Sequence, residues 1–492
     1  MTIRALRDHG SIVVLVLGCS GAACGSGAPG GASSGASGSG AVMAVGGALS
    51  AGGTATAGVA ANAGSSNGSF GGASSGGAQT VSSAGGSPAG ASNGGASSGG
   101  TGGRAMGGSA GAPAGGSGGA AVSACSDTGT LGASSLAVRF ANAVIARWPD
   151  PGNINGGTPA WEYNVGIVLH GMERVYGGTK DARYLTYIRK YVDEFVDDQG
   201  VVNRPAAHSF DTIQPAILLP FLWQKTNAAK YRTAAQNMRN LYDSIPKNSA
   251  GGFWHKQTYP NQMWLDSIYM GETFLSRYGA VFSCGAFCND TTVMQTKLIA
   301  DHVRDPATGL LYHAWDASLA ASWADASTGR SPVIWGRALG WYAMSLVDLL
   351  ADLPEAQSGR SDLLLILNTL AAGLVTAQDP TTGLWFQVLD KGAMSGNWSE
   401  ASASGMFVYA LKVAADRGYI AASYAAAADR GWQGLMTEVT QDATGPVINN
   451  AVQGMGVQDN YANYVNKSRL MNSSHGLCAI LLAASVMEAS CP

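Results

Sequence analysis

The chain has 492 residues, of which 69 are Gly and only 12% are charged, and its formal net charge is −3. No Gly-X-Y period, sustained heptad pattern or series of long apolar runs is present, which excludes a collagen, a coiled coil and a multi-pass membrane protein. A near-neutral balance argues against nucleic acid as the main partner.

In chain order, Arg4 and Arg7 precede the apolar run Ile12-Val-Val-Leu-Val-Leu17, and Gly18-Cys19 follow. A basic start, a short apolar stretch and a small residue predict a secretory signal over 1–19. Val16-Leu-Gly-Cys19 resembles a bacterial lipobox, which would make Cys19 a lipidated first residue and the only link to a membrane; ordinary cleavage beside an incidental Cys is the alternative. Residues 20–124 are almost wholly Gly, Ala and Ser, with Arg104 as their only charge. Such a stretch cannot bury enough apolar surface to offset its ordering entropy, so it reads as a disordered linker. The remaining 125–492, about 370 residues, suit one large enzyme domain.

Helical periodicity dominates this domain. Twelve helices are predicted, near 135–148, 161–177, 181–197, 211–226, 228–244, 262–279, 289–304, 335–353, 360–377, 399–417, 420–438 and 474–489. They alternate in character: the odd ones are amphipathic, and several even ones, such as Trp341-Tyr-Ala-Met-Ser-Leu-Val347, are apolar nearly all round. A helix apolar on every face is enclosed by protein, so the alternation predicts an outer and an inner ring. An internal repeat agrees: Asp305-Pro-Ala-Thr-Gly-Leu-Leu-Tyr312 recurs as Asp379-Pro-Thr-Thr-Gly-Leu-Trp-Phe386, each between an odd and an even helix. The expected fold is all-α, an (α/α)6 toroid of six helical hairpins; an open helical solenoid is the alternative.

In such a ring the even helices begin around one mouth, where the conspicuous polar and aromatic residues fall. Tyr163 opens the second helix and Asp211 the fourth; His255, Trp264 and Asp266 surround the start of the sixth. His313 precedes the eighth, which opens with Trp335-Gly-Arg337 and continues to Trp341; Glu400 opens the tenth, and Lys467 and His475 flank the twelfth. An aromatic, mixed-charge cleft ringed by positive helix ends suits a sugar that carries a carboxylate. Structural roles compete. An Asp opening a helix is ordinarily an N-cap, which would account for Asp211, and Glu400 reads the same way. His255 and His313 could be core histidines, and Arg337 could simply stack on the neighbouring Trp residues. Asp266 is harder to dismiss, since it interrupts the apolar run Met263-Trp-Leu-Asp-Ser-Ile-Tyr-Met270.

These residues carry a resemblance. Gly251-Gly-Phe-Trp-His-Lys-Gln-Thr-Tyr-Pro-Asn-Gln-Met-Trp-Leu-Asp-Ser-Ile-Tyr-Met270, Ile334-Trp-Gly-Arg-Ala-Leu-Gly-Trp341, Gly383-Leu-Trp-Phe-Gln-Val-Leu-Asp390 and Glu400-Ala-Ser-Ala-Ser-Gly-Met-Phe407 together resemble the unsaturated rhamnogalacturonyl hydrolases, glycoside hydrolase family 105. The resemblance covers about 150–490 and implies the same toroid. It also implies Asp266 as general acid/base, Asp211 as second carboxylate, and Tyr163, His255, His313 and Arg337 as substrate contacts; Trp264, Trp335 and Trp341, in the same cleft, are expected to contact substrate as well. It further implies an enzyme without metal or cofactor; a monomer is expected. Two departures stand out: Ala338 replaces a usual Gly, and Asn472-Ser-Ser-His-Gly476 stands where an acidic residue and a Lys are usual. The implied reaction is hydration of a 4,5-unsaturated galacturonosyl unit at the end of a rhamnogalacturonan fragment, which requires Asp266 to be protonated. Burial and the nearby Asp211 are expected to raise its pKa. Rival readings are an inverting glycosidase pairing Asp266 with Asp211 or Glu400, an unsaturated glucuronyl hydrolase, and a surface lectin. In an exported protein, Cys284–Cys288 and Cys125–Cys491 are expected as disulfides, with Cys478 a buried thiol.

Overall fold

The computed structural model describes residues 129–490, apart from 155 and 393. The signal segment, the Gly/Ala/Ser linker, Cys19 and the Cys125–Cys491 pair lie outside the described residues.

All twelve predicted helices are present. The inner set comprises α2 (Tyr163–Thr179), α4 (Leu218–Thr226), α6 (Leu265–Ser267) running into α7 (Thr273–Phe282), α9 (Gly336–Asp352), α11 (Ala401–Asp416) and α14 (Ser474–Met487). Each packs on the next, and α14 packs back on α2, closing the ring. The outer set comprises α1 (Leu136–Arg147), α3 (Ala182–Phe195), α5 (Ala229–Asn240), α8 (Ala286–Val303), α10 (Arg360–Ala377) and α12 (Ala425–Thr437). Burial follows the sequence pattern: α11 is enclosed over nearly its whole length, whereas α10 buries Leu363, Ile366 and Leu367 but exposes Leu365.

Local chemistry sets the ends. Ser135, Asp181 and Ser473 accept a main-chain N–H in the first turns of α1, α3 and α14, each such cap contributing about 1 kcal/mol. Lys180, Asn227 and Ser283 adopt positive φ where α2, α4 and α7 stop. The repeated turns match in detail: Asp305 accepts from the Thr308 hydroxyl and Asp379 from the Thr382 hydroxyl, with Gly309 and Gly383 both at φ 74°. After the second turn, Trp385 is wholly buried and its indole N–H donates to Leu374 O at 2.7 Å. Burying such a ring stabilises by at most about 4–6 kcal/mol.

Two predicted helices start differently. The segment from 211 does not begin as an α-helix: it forms 3-10 turns Phe210–Thr212 and Gln214–Ile217 before α4. Pro215 lacks the N–H that an α-helical turn would use, and Ser209, not Asp211, caps the first turn. The segment from 262 opens as a strand, β1 (Gln262–Trp264), antiparallel to β2 (Ala314–Asp316), with Trp264 opposite Ala314. The helix that follows is π-helical over Ile268–Glu272. Gly271 is required there, because a Cβ would stand 2.2 Å from the Phe210 ring. Short pairs β3 (Val439–Gln441) with β4 (Pro446–Ile448) and β5 (Ala451–Val452) with β6 (Arg469–Leu470) precede α14. Between β5 and β6 lies α13 (Tyr461–Val465). Cys284 and Cys288 form a disulfide, and Cys478 is a buried free thiol.

Candidate active site

Because the inner helices begin at one mouth, their first turns deliver side chains to a common cavity. It holds about 200 Å³ and is lined by Tyr163, Asp211, His255, Trp264, Asp266, Trp335, Arg337 and Trp341, together with Lys256, Tyr259, Met270, Met455, Gly456 and His475. Of the nine residues expected from sequence, eight stand on its wall. The ninth, His313, is fully buried behind it and reaches the cavity through Asp266.

Backbone pairing places the two carboxylates. The β1–β2 ladder continues one residue further, where Leu265 N–H donates to His313 O at 3.0 Å. Asp266, in the first turn of α6, therefore comes to lie beside His313, with Oδ2 3.2 Å from Nε2. A bridge between Ser209 and Lys256 sets the other side, and Lys256 forms an ion pair with Asp211. His255 Nε2 lies 3.8 Å from Asp211 Oδ1, while its Nδ1 is 2.9 Å from the Ser267 hydroxyl. His255 also stacks on Trp264, with centroids 4.2 Å apart, and Tyr259 stacks on the same indole at 4.9 Å. These rings form a flat wall beside the carboxylates, which suits a sugar ring.

The electrostatics differ from the expectation. Burial pushes the Asp211 carboxyl up; Lys256 opposes this and Asp266 adds to it, and the balance stays above the usual range. Burial also pushes the Asp266 carboxyl up, but the close approach of His313 outweighs it, with a smaller effect from His255, so Asp266 sits below its usual range. The expectation that burial and Asp211 would raise Asp266 is thus corrected: His313, behind the cavity wall, does most to favour the anion. His255 is itself held well below the usual imidazole range by burial and then by Lys256. It is therefore neutral near pH 7, which leaves the 3.2 Å approach of His313 as the main contact that favours the Asp266 anion.

Arg337 is more constrained than a free carboxylate clamp. Its Nη1 donates to Val452 O, its Nη2 donates to Gln453 O at 2.6 Å, and its guanidinium lies 4.9 Å from the Trp335 ring centre. It stacks on one tryptophan and ties the chain after β5 to the start of α9. Tyr163 Oη lies 3.2 Å from His475 Nε2, and burial drives the His475 imidazole well below its usual range. Glu400 is wholly a cap: its oxygens accept from Ser402 N and Oγ, Ala403 N and Val452 N, and it is absent from the cavity wall. This removes it as a partner carboxylate for Asp266.

Comparison with known proteins agrees with this architecture. The sequence pattern described as Glycosyl Hydrolase Family 88 matches residues 136–490. A solved family 105 glycoside hydrolase from C. acetobutylicum ATCC 824 is 34% identical, superposes with a TM-score of 0.68, and is matched over 72% of this chain and 99% of its own. The chain belongs to the family 88/105 glycoside hydrolases. Among curated relatives, the Agrobacterium fabrum protein Atu3128 is 45% identical over 159 residues, 32% of this chain and 66% of that protein, so the match spans slightly under two thirds of its length. The Bacillus subtilis unsaturated rhamnogalacturonyl hydrolase YesR is 28% identical over 261 residues, 51% of this chain and 70% of that protein.

In this family 88/105 hydrolase, the segment 472–476 that departs from the usual pattern is well integrated. Asn472 Oδ1 accepts from Ile448 N, Ser473 caps α14, and His475 lines the cavity. Lys467, which flanks this helix in sequence, is not on the wall. Sequence reasoning passed over Lys256 and Tyr259, although they lie in the same segment as His255. It also missed Met455 and Gly456, from the irregular chain after β5, and Tyr464, in α13, a helix of five residues too short to show a period.

Proposed function

We propose that this enzyme removes a terminal 4,5-unsaturated galacturonosyl unit from rhamnogalacturonan fragments, with Asp266 as general acid and base. The observation that carries this reading is a largely enclosed carboxylate, Asp266, on the wall of a small cavity that also presents Arg337, Lys256 and a stacked aromatic wall. The relative YesR, by its name, acts on unsaturated rhamnogalacturonyl substrates.

The unsaturated unit is a cyclic vinyl ether. A proton passes from Asp266 to C4, and positive charge develops on C5 and the ring oxygen. Water adds at C5 and returns a proton to Asp266. The resulting hemiketal opens by breaking the C5–O5 bond, and the hemiacetal left at C1 expels the sugar it carried. No net proton is consumed. In the free enzyme Asp266 favours its ionised form, so substrate must help. A bound uronate carboxylate beside it is a like charge in a site cleared of water, and both effects raise the Asp266 pKa. Lys256 and the Arg337 charge would hold that carboxylate, and the Trp264–His255–Tyr259 wall would support the ring.

One observation favours a second assignment, in which Asp211 gives the proton and Asp266 receives it: in the free enzyme Asp211 is raised and Asp266 is lowered. Incubation with a panel of lyase-generated unsaturated disaccharides tests the main reading. Loss of the ultraviolet absorbance of the conjugated enol-uronate on galacturonosyl-rhamnose is expected. Cleavage of saturated sugars with that absorbance preserved on unsaturated ones would overturn it, and preference for a glucuronyl substrate would correct the sugar. The sequence adds a further proposal: an exported enzyme tethered through a lipidated Cys19. The Cys284–Cys288 disulfide is consistent with an oxidising compartment.

A further inference from the structure

Asp266 Oδ2 and His313 Nε2 are both buried, and neither makes a well-aligned hydrogen bond to any group, although they face each other at 3.2 Å. A carboxylate oxygen and an imidazole nitrogen this close require a proton between them. Where that proton sits depends on the far side of the imidazole. There, His313 Nδ1 lies 2.7 Å from the Tyr464 hydroxyl, and Tyr464 is wholly buried.

The Tyr464 hydroxyl accepts the Gln458 main-chain N–H at 3.2 Å. With that acceptance made, the hydroxyl still has one proton to place, and His313 Nδ1 is positioned to take it. A hydroxyl that donates to Nδ1 leaves the ring proton on Nε2, the nitrogen 3.2 Å from Asp266 Oδ2. The tyrosine is itself fixed from behind. Gln387 Nε2 donates to Tyr464 O at 3.2 Å, and Gln387 Oε1 accepts the indole N–H of Trp335, a cavity-wall residue, at 3.1 Å. Trp398 Nε1 donates to the neighbouring Val465 O at 3.1 Å.

We propose that Tyr464 is a positioning residue: by donating to Nδ1 it holds His313 as the Nε2–H tautomer, which gives Asp266 a fixed hydrogen-bond donor and sets the pH range in which the acid is charged. Its bearing on turnover rests on Asp266 being the general acid, as proposed above. The other groups that act on Asp266 or share its surroundings are His255 from the segment before β1, Asp211 before α4, Tyr163 at the start of α2 and Arg337 at the start of α9. Tyr464 also faces Asp459. Among these, only Tyr464 contacts the far nitrogen of the His313 ring, so its hydroxyl and the Asp266 carboxylate favour the same tautomer.

The test uses the intact enzyme labelled with ¹⁵N-histidine, with His313 assigned by comparison with His313→Gln. In the wild-type spectrum the neutral His313 ring should be protonated at Nε2. A His313 protonated at Nδ1 would overturn the proposal. This measurement needs no substrate, so it stands whether or not unsaturated uronides prove to be turned over. In Tyr464→Phe, Nδ1 loses its donor and the ring its anchor. The alkaline limb of kcat/KM, which reports ionisation of the acid, should then move to higher pH, with kcat reduced and KM retained. A Tyr464→Phe enzyme with an unmoved limb and unchanged kcat would also overturn it.

Discussion

Replacing Arg337 with Lys separates its two possible duties. In the structure the guanidinium spans two main-chain carbonyls, Val452 O and Gln453 O, while lying on Trp335. An ammonium at the same place keeps the charge but cannot reach both carbonyls along the guanidinium's fixed fork. One buried charge-assisted hydrogen bond is lost, which costs about 1.5–3 kcal/mol. Unfolding roughly 360 ordered residues carries an entropy of about 0.75 kcal/mol per kelvin. The melting temperature should therefore fall by about 2–4 °C. KM for an unsaturated uronide should rise only modestly, because the positive charge remains. The assay measures thermal unfolding and steady-state kinetics on one preparation of each protein. An unchanged melting temperature with KM raised tenfold or more (about 1.4 kcal/mol) would refute this. It would mean that the guanidinium grips the substrate carboxylate and holds the loop only incidentally.

Two further outcomes follow from buried carboxyls. Since Asp266 is below its usual range in the free enzyme, and a bound uronate should raise it, the alkaline limb of kcat should lie at higher pH than that of kcat/KM; coincident limbs would show that substrate does not assist protonation. Burial, partly offset by Arg277, raises Asp352 to about 6 in the folded protein, so its ionisation costs stability as pH rises through that value. Asp352→Asn should stabilise at pH 7.5 by up to about 3 kcal/mol and by little at pH 4, which unfolding curves at the two pH values will show.

The toroid was legible because its signal is redundant. Enclosed helices such as α11 and half-exposed ones such as α10 differ in pattern over many residues, and two copies of one turn mark the hairpin period. Cavity residues were legible for a related reason: Tyr163, Trp264, Asp266, Trp335 and Arg337 lie in or just before the first turn of an inner helix, so the ring topology gathers them. The finer chemistry was not. Whether Asp266 is charged depends on a 3.2 Å approach to His313, which exists only because β1 pairs with β2, and strands of three residues leave no periodic trace. Asp211 looked like a helix cap because its segment reads as one helix, yet Pro215 converts the start into 3-10 turns and frees the carboxylate for Lys256. The reach from Glu400 to Val452 N and the placement of Tyr464 depend on contacts across 52 and 151 positions of sequence.

The central claim is that Asp266 hydrates the double bond, and the most direct measurement is the ultraviolet time course of unsaturated galacturonosyl-rhamnose with wild type and Asp266→Asn side by side. The amide keeps the shape of the carboxyl but cannot deliver a proton. The account predicts a rate lower by about 10²–10⁴-fold or more, with the melting temperature essentially retained. A variant that consumes the chromophore at close to the wild-type rate would contradict the assignment.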